Sequence, residues 1–184
     1  MPSTGKAFSF VSYVALAVWT SIATMPAPGV AQVLEEMPAK YGFIWEGQIS
    51  RSATPNDDAE WRWLRAQGTN TLITLDHTRV NLGKFGFEAA LSIPFAQGAA
   101  PTHEQAQRFL KFVQDSDNQP AHLVSAGGHD RTALLSTLLR YAMDGKPIET
   151  AFAEARRDDH GDELSPRQEE WLRRWAMDHL PGSH

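Results

Sequence analysis

The sequence of 184 residues contains no cysteine. This absence excludes disulfide bonds, and it also excludes a cysteine thiolate as a catalytic nucleophile. A chain of this length can bury a sufficient hydrophobic core without disulfides, so the absence has little consequence for stability. Its consequence for chemistry is larger, because any nucleophile must be another type of residue.

The sequence also lacks an excess of positive charge. Its 17 Lys and Arg residues are outnumbered by 22 Asp and Glu residues, which gives a formal net charge of −5. Proteins that bind nucleic acid usually carry a basic face, so this balance argues against nucleic acid as a partner. The 42% hydrophobic and 21% charged content is typical of a globular protein, and the length predicts one domain.

No apolar run is both long and uninterrupted. Lys6 precedes an apolar region over residues 7–24, and hydroxyl residues interrupt this region. The region is short for a membrane-spanning helix, which needs about 20 apolar residues. Small residues follow at Ala31 and two positions before it, so the pattern predicts a secretory signal peptide over residues 1–31. We expect an exported domain over residues 32–184, periplasmic or secreted, with no membrane span after signal cleavage.

Short apolar runs alternate with segments of helical periodicity in the rest of the chain. Strands are expected at residues 43–45, 48–50, 71–75, 89–94 and 121–124, and helices at 57–67, 102–114, 132–143, from 147 onward and 166–179. This alternation predicts an α/β sandwich in which helices flank a central, mainly parallel sheet. A ligand site is then expected at the carboxyl ends of the strands.

Residues 122–132, His-Leu-Val-Ser-Ala-Gly-Gly-His-Asp-Arg-Thr, are the most informative segment. A glycine-rich turn between a strand and a helix directs backbone N–H groups at an anion, and the helix N-terminus adds its positive dipole end. Arg131 adds a planar guanidinium that can bind two oxyanion oxygens. The segment predicts a phosphate site formed by Ser125, Ala126, Gly127, Gly128, His129, Asp130 and Arg131.

This segment resembles the signature loop of the cysteine-dependent protein tyrosine and dual-specificity phosphatases, which reads Cys, five residues, Arg, then Ser or Thr. Arg131 and Thr132 match that pattern. Ser125 stands six residues before Arg131, where the family carries its nucleophilic cysteine. The run Asp130-Arg131-Thr132 is similar to an Asp-Arg-Thr variant found in bacterial members.

A second segment strengthens the resemblance. Residues 49–55, Ile-Ser-Arg-Ser-Ala-Thr-Pro, look like the Arg-Ser-x-x-Pro stretch that precedes the first helix in bacterial and plant dual-specificity-like members. The order of elements is similar from about residue 43 to residue 155. The resemblance implies a phosphatase-type sandwich for most of the mature chain, with Arg51 and Ser52 bracing the site.

The resemblance also implies roles for residues. In the family a thiolate attacks phosphorus, the loop amides and the arginine hold the oxygens, and an aspartic acid protonates the leaving group. Ser125 occupies the nucleophile position, but ionising a hydroxyl costs about 10 kcal/mol more than ionising a thiol. Residues 95–100, where most relatives carry the acid, contain no carboxylate. The resemblance to the Asp-Arg-Thr variant implies that Asp130 is the general acid, with a helix cap as the alternative, and that Thr132 completes the catalytic set.

Other polar residues near the loop are weaker candidates for a role in the site. A serine-hydrolase triad of Ser125, His129 and Asp130 is disfavoured, because all three lie on one loop and no Gly-x-Ser-x-Gly motif is present. His129 is either a rim residue or a pH-dependent donor to phosphate. Asp76, with His77 and Arg79, is interpreted as part of a polar loop, and lining of the pocket is the alternative.

Two functions follow from these residues. The first is a pseudophosphatase that binds a phosphorylated protein, lipid or inositol with little turnover. The second is an active phosphatase for phosphotyrosine, phosphoserine or phosphoinositide monoesters, in which Ser125 is an engineered replacement of cysteine or another nucleophile acts. Neither function uses a cofactor, so none is expected. No metal site is expected either, because the acidic run at 158–163 is interpreted as a solvated connection between helices.

Overall fold

The computed structural model of the chain describes residues 36–157 and 164–182. The predicted signal peptide over residues 1–31 and the acidic run at 158–163 lie outside the described residues. Within the described ranges, no helix combines the length and the apolar character needed to cross a bilayer.

In the described part of the chain, five strands form one sheet. They are β1 (Gly42–Trp45), β2 (Ile49–Ala53), β3 (Thr71–Thr74), β4 (Ala89–Ser92) and β5 (Ala121–Ser125). The strand order is β1-β2-β5-β3-β4, with β1 antiparallel to β2 and all other pairs parallel. The predicted α/β fold with a mainly parallel central sheet is confirmed. β5 lies in the middle of the sheet, so the loop that follows it emerges from the centre of the carboxyl edge.

Within the described ranges, six helices flank the sheet. They are α1 (Asp58–Ala66), α2 (Leu82–Phe85), α3 (His103–Gln114), α4 (Asp130–Ala142), α5 (Ile148–Ala155) and α6 (Pro166–Asp178), and a 3₁₀ turn spans Ser116–Asn118. The short α2 and the 3₁₀ turn differ from the predicted loops, because single turns are too short to show helical periodicity. Helix α4 begins at Asp130, two residues before the predicted start.

Helix α3 begins, as predicted, after Thr102, and its start is closed by a capping box. The Thr102 hydroxyl accepts a hydrogen bond from the backbone N–H of Gln105, and the Gln105 side chain accepts one from the N–H of Thr102. Helix α6 has a second capping box, in which Ser165 and Gln168 bond in the same reciprocal way. These caps fix where both helices start.

Helix α4 is buried along almost its whole length. Its side chains Leu134, Leu135, Leu138 and Leu139 are fully buried in the main core cluster. All residues of the helix from Thr132 to Ala142 are buried, so this helix lies inside the protein and not on its surface. The N-terminus of α4 is therefore held rigidly at the edge of the sheet, beside the end of β5.

Candidate active site

Ser125 is the last residue of β5 and is only 1% exposed. Its carbonyl oxygen accepts hydrogen bonds from the backbone N–H of Thr54 (2.9 Å) and from that of Gly128 (3.0 Å). The first bond ties the strand end to the segment after β2, and the second closes a tight turn. The Ser125 hydroxyl makes no hydrogen bond to any other residue within 36–157 or 164–182, so no described side chain is placed to take its proton.

Gly128 packs directly against β2. Its φ angle is +65°, and a Cβ atom at this position would lie 2.3 Å from the backbone nitrogen of Ala53. Real Cβ atoms do not approach backbone this closely, and L-residues with side chains rarely adopt this φ. Only glycine fits here, and the close contact sets the path of the loop.

His129 caps helix α4. Its Nδ1 accepts a hydrogen bond from the backbone N–H of Asp130 (2.8 Å), and its ring lies over Gly127, where a Cβ would be 2.8 Å from Nε2. The alternative that Asp130 is the helix cap is therefore wrong. A nitrogen that accepts a bond carries no proton, so the neutral ring has its hydrogen on Nε2.

Arg131 is held by two protein acceptors. Its Nη1 donates to the carbonyl oxygen of Phe95 (3.2 Å) and its Nη2 to Oδ2 of Asp76 (3.3 Å), and the side chains of both charged partners are largely buried. The same Asp76 oxygen accepts the backbone N–H of Ala126 (2.7 Å). Asp76 is thus bonded to both ends of the loop, and the interpretation of it as a plain polar-loop residue is wrong.

The ionisation of Asp76 reflects these contacts. Burial raises the pKa of its carboxyl, but hydrogen bonds from Thr78 and Ala126 and the charge of Arg131 lower it, and the net pKa lies below its ordinary value. Asp76 is therefore an anion that neutralises part of the Arg131 charge. Asp76 is among the polar residues that the sequence places near the site, but no sequence pattern indicates that β3 and β5 are neighbours.

Asp130 contacts two other elements. Its Oδ2 accepts the backbone N–H of Gly98 (2.6 Å), and its Oδ1 accepts Nε2 of Gln168 (2.5 Å). Gln168 is fully buried near the start of α6. Gln168 is not among the predicted site residues, although the sequence at 165–168 has the capping-box pattern Ser-x-x-Gln.

The loop encloses a small cleft. It is lined by Gln97, Ser125, Gly127, His129, Asp130 and Arg131, and about 10 Å³ of it is open to a water-sized sphere. A space of this size has room for about one water molecule. Five of the predicted site residues thus surround one cleft, and Gln97 is a lining residue that the prediction did not include.

The remaining predicted residues lie beside the cleft. Ala126 is exposed and donates its N–H to Asp76, while Gly128 is buried and donates its N–H to Ser125. Thr132 is fully buried, and its hydroxyl donates to the carbonyl oxygen of His129 (2.8 Å). Among the described residues, the N–H groups of Gly127 and His129 have no protein acceptor, so they remain able to donate to a bound anion.

A buried histidine supports the strand behind the loop. The Ser50 hydroxyl lies 2.7 Å from Nδ1 of His122, and that of Ser52 lies 2.8 Å from Nε2. Because the Ser52 hydroxyl also donates to the carbonyl of Ala53 (2.6 Å), the network has Nε2–H donating to Ser52 and Nδ1 accepting from Ser50. Burial lowers the pKa of His122 to about 3. Ser52 thereby fixes Ala53, the residue on which Gly128 packs.

The fold and this loop define a phosphatase domain of the protein tyrosine and dual-specificity type. The family described as DSP-PTPase phosphatase fused to NAD+ Kinase matches residues 45–174, and the chain belongs to this family. A curated relative, the probable NAD kinase 2, chloroplastic, of Oryza sativa subsp. japonica, is 31% identical over 141 residues. That match covers 69% of this chain and only 13% of the length of the relative.

Solved structures share the fold. The core catalytic domain of the PP-IP phosphatase SIW14 from S. cerevisiae, in complex with citrate, superposes with a TM-score of 0.62 at 16% identity, covering 77% of this chain and 93% of that one. A cysteine-to-serine variant of TpbA from P. aeruginosa, in complex with pTyr, superposes with a TM-score of 0.56 at 21% identity, covering 68% and 78%.

Proposed function

We propose that this chain binds phosphate monoesters in the cleft and hydrolyses them poorly. The observation that carries the proposal is Ser125, which stands at the nucleophile position with no hydrogen-bonded base among the described residues. The free N–H groups of Gly127 and His129 and the guanidinium of Arg131 supply donors for an anion. The loop thus supports binding, and the hydroxyl supports little attack on phosphorus.

The comparisons favour a phosphorylated protein or inositol as the natural ligand. SIW14 is a PP-IP phosphatase, and the TpbA structure holds pTyr with serine in place of a cysteine. The second of these supports the idea that serine at this position is compatible with binding. A phosphorylated lipid has the same head-group chemistry, and competition among pTyr, an inositol phosphate and a phosphoinositide for the cleft ranks the three.

One set of variants distinguishes anion binding from hydrolysis of a phosphate monoester. The Ser125 form should bind tungstate or vanadate but hydrolyse p-nitrophenyl phosphate slowly, and Ser125→Cys should raise the rate by orders of magnitude. Arg131→Ala should abolish anion binding in either background, because a charge-assisted contact is lost. Fast turnover by the Ser125 form that survives Ser125→Ala would overturn the proposal, since the chemistry would then lie elsewhere.

We also propose that the chain is exported to the periplasm or outside the cell. The support is the sequence pattern of residues 1–31 alone. N-terminal sequencing of protein from fractionated cells should find a mature chain that begins near Gln32. An uncleaved chain confined to the cytoplasm would overturn this part.

A further inference from the structure

The side-chain amide of Gln168 has only one orientation that satisfies its neighbours. Its Nε2 donates to Oδ1 of Asp130 (2.5 Å) and to the carbonyl oxygen of Ala99 (3.0 Å), while its Oε1 accepts the backbone N–H of Ser165 (2.9 Å). A reversed amide would point its oxygen at two acceptors and its NH₂ at a donor. Because Gln168 is fully buried, no water can compensate for such a reversal.

Asp130 meets only donors at these contacts. One oxygen accepts from Gln168, and the other accepts from the backbone N–H of Gly98 (2.6 Å). These two bonds attach the carboxyl group to the segment before α3 on one side and to the buried amide of Gln168 on the other, and they fix its orientation.

The same contacts fix one wall of the cleft. Asp130 binds the N–H of Gly98, the Ser165 hydroxyl donates to the carbonyl of Gly98 (3.2 Å), and Gln168 binds the carbonyl of Ala99. Gln97, the residue immediately before this anchored pair, lines the cleft with Ser125. The start of α6 and the start of α4 thus hold residues 97–99 in place together.

We propose that Asp130 and Gln168 are positioning residues that hold the Gln97 wall of the cleft. This inference rests on the proposed function, because it assigns roles within the same phosphate site. A carboxyl group introduced at position 97 would face the cleft that Ser125 lines.

The test compares leaving groups in the Ser125→Cys background. Phenyl phosphate needs a proton on its leaving oxygen more than p-nitrophenyl phosphate does, so loss of a general acid slows phenyl phosphate selectively, by at least about 100-fold. We expect Asp130→Asn and Gln168→Ala to slow both substrates by the same factor. We expect Gln97→Asp to speed phenyl phosphate selectively.

Gln105→Ala is the matched control for Gln168→Ala. Gln105 forms the equivalent capping box in α3 and donates to the carbonyl of Pro94, but it makes no hydrogen bond to Asp130. The Gln105→Ala variant should therefore be less stable, but its rate on either substrate should be unchanged. A selective loss of phenyl phosphate hydrolysis in Asp130→Asn, with Gln168→Ala unaffected, would make Asp130 the acid and overturn the proposal.

A second measurement does not depend on turnover. Hydrogen exchange at the Gly98 amide should be slow in the Ser125 form and should become fast in Asp130→Asn and in Gln168→Ala, but not in Gln105→Ala. Unchanged protection of Gly98 in both variants would overturn the positioning role. Failure of the Ser125 form to bind tungstate would instead overturn the proposed function and leave the Gly98 result to stand by itself.

Discussion

Gly128→Ala tests whether the contact between the loop and β2 shapes the site. The new methyl group would lie 2.3 Å from the backbone nitrogen of Ala53 and 2.7 Å from its Cα, and neither atom can move without shifting the strand. The positive φ costs an L-residue about 1–2 kcal/mol, and overpacking adds about 1–3 kcal/mol. We expect a loss of about 2–5 kcal/mol in the free energy of unfolding, together with loss of tungstate binding.

Gly47→Ala is the matched control. Gly47 has a similar φ of +73°, but nothing lies within 4 Å of its Cβ position. The free energy of unfolding of Gly47→Ala should fall by only about 1–2 kcal/mol, which is the cost of a positive φ for an L-residue. This variant should keep full tungstate affinity. Urea unfolding and tungstate titration of both variants measure the difference. Equal losses of stability in the two variants, or intact binding in Gly128→Ala, would refute the reasoning.

Three further predictions concern other contacts. Acidification from pH 7 to pH 5 should cost about 2 kcal/mol of stability through His122, because its folded pKa of about 3 lies below the unfolded value of 6.5 and the unfolded chain therefore binds the extra proton. This stability is present above pH 6.5 and is lost as pH falls toward 3, and urea unfolding of His122→Gln should show a flatter profile. Asp76→Asn should tighten tungstate binding by about tenfold, because it removes the negative charge bonded to Arg131, and weaker binding in a titration would contradict this. Thr102→Ala should cost about 1 kcal/mol in a thermal melt, because the first turn of α3 loses its cap, and no change would contradict it.

Some features of the site were determined by the sequence itself. The loop from Ser125 to Arg131 was predictable because glycines between an apolar strand and an apolar helix have few other local conformations. The capping box of Thr102 and Gln105 was predictable because it is formed by neighbours in sequence. The missing cysteine was visible without any structure, and it remains the main reason to expect poor turnover.

Other features depended on which elements lie side by side. Asp76 reaches the loop only because β3 pairs with β5, and residues 76 and 126 are 50 positions apart. Gln168 reaches Asp130 only because α6 packs beside the start of α4. Sequence patterns report burial and local periodicity, but they do not report the partner of a polar side chain. The roles of Asp76, Gln97 and Gln168 were therefore decided by tertiary packing, since a hydrogen bond between distant residues requires the sheet order and the helix placement to exist first.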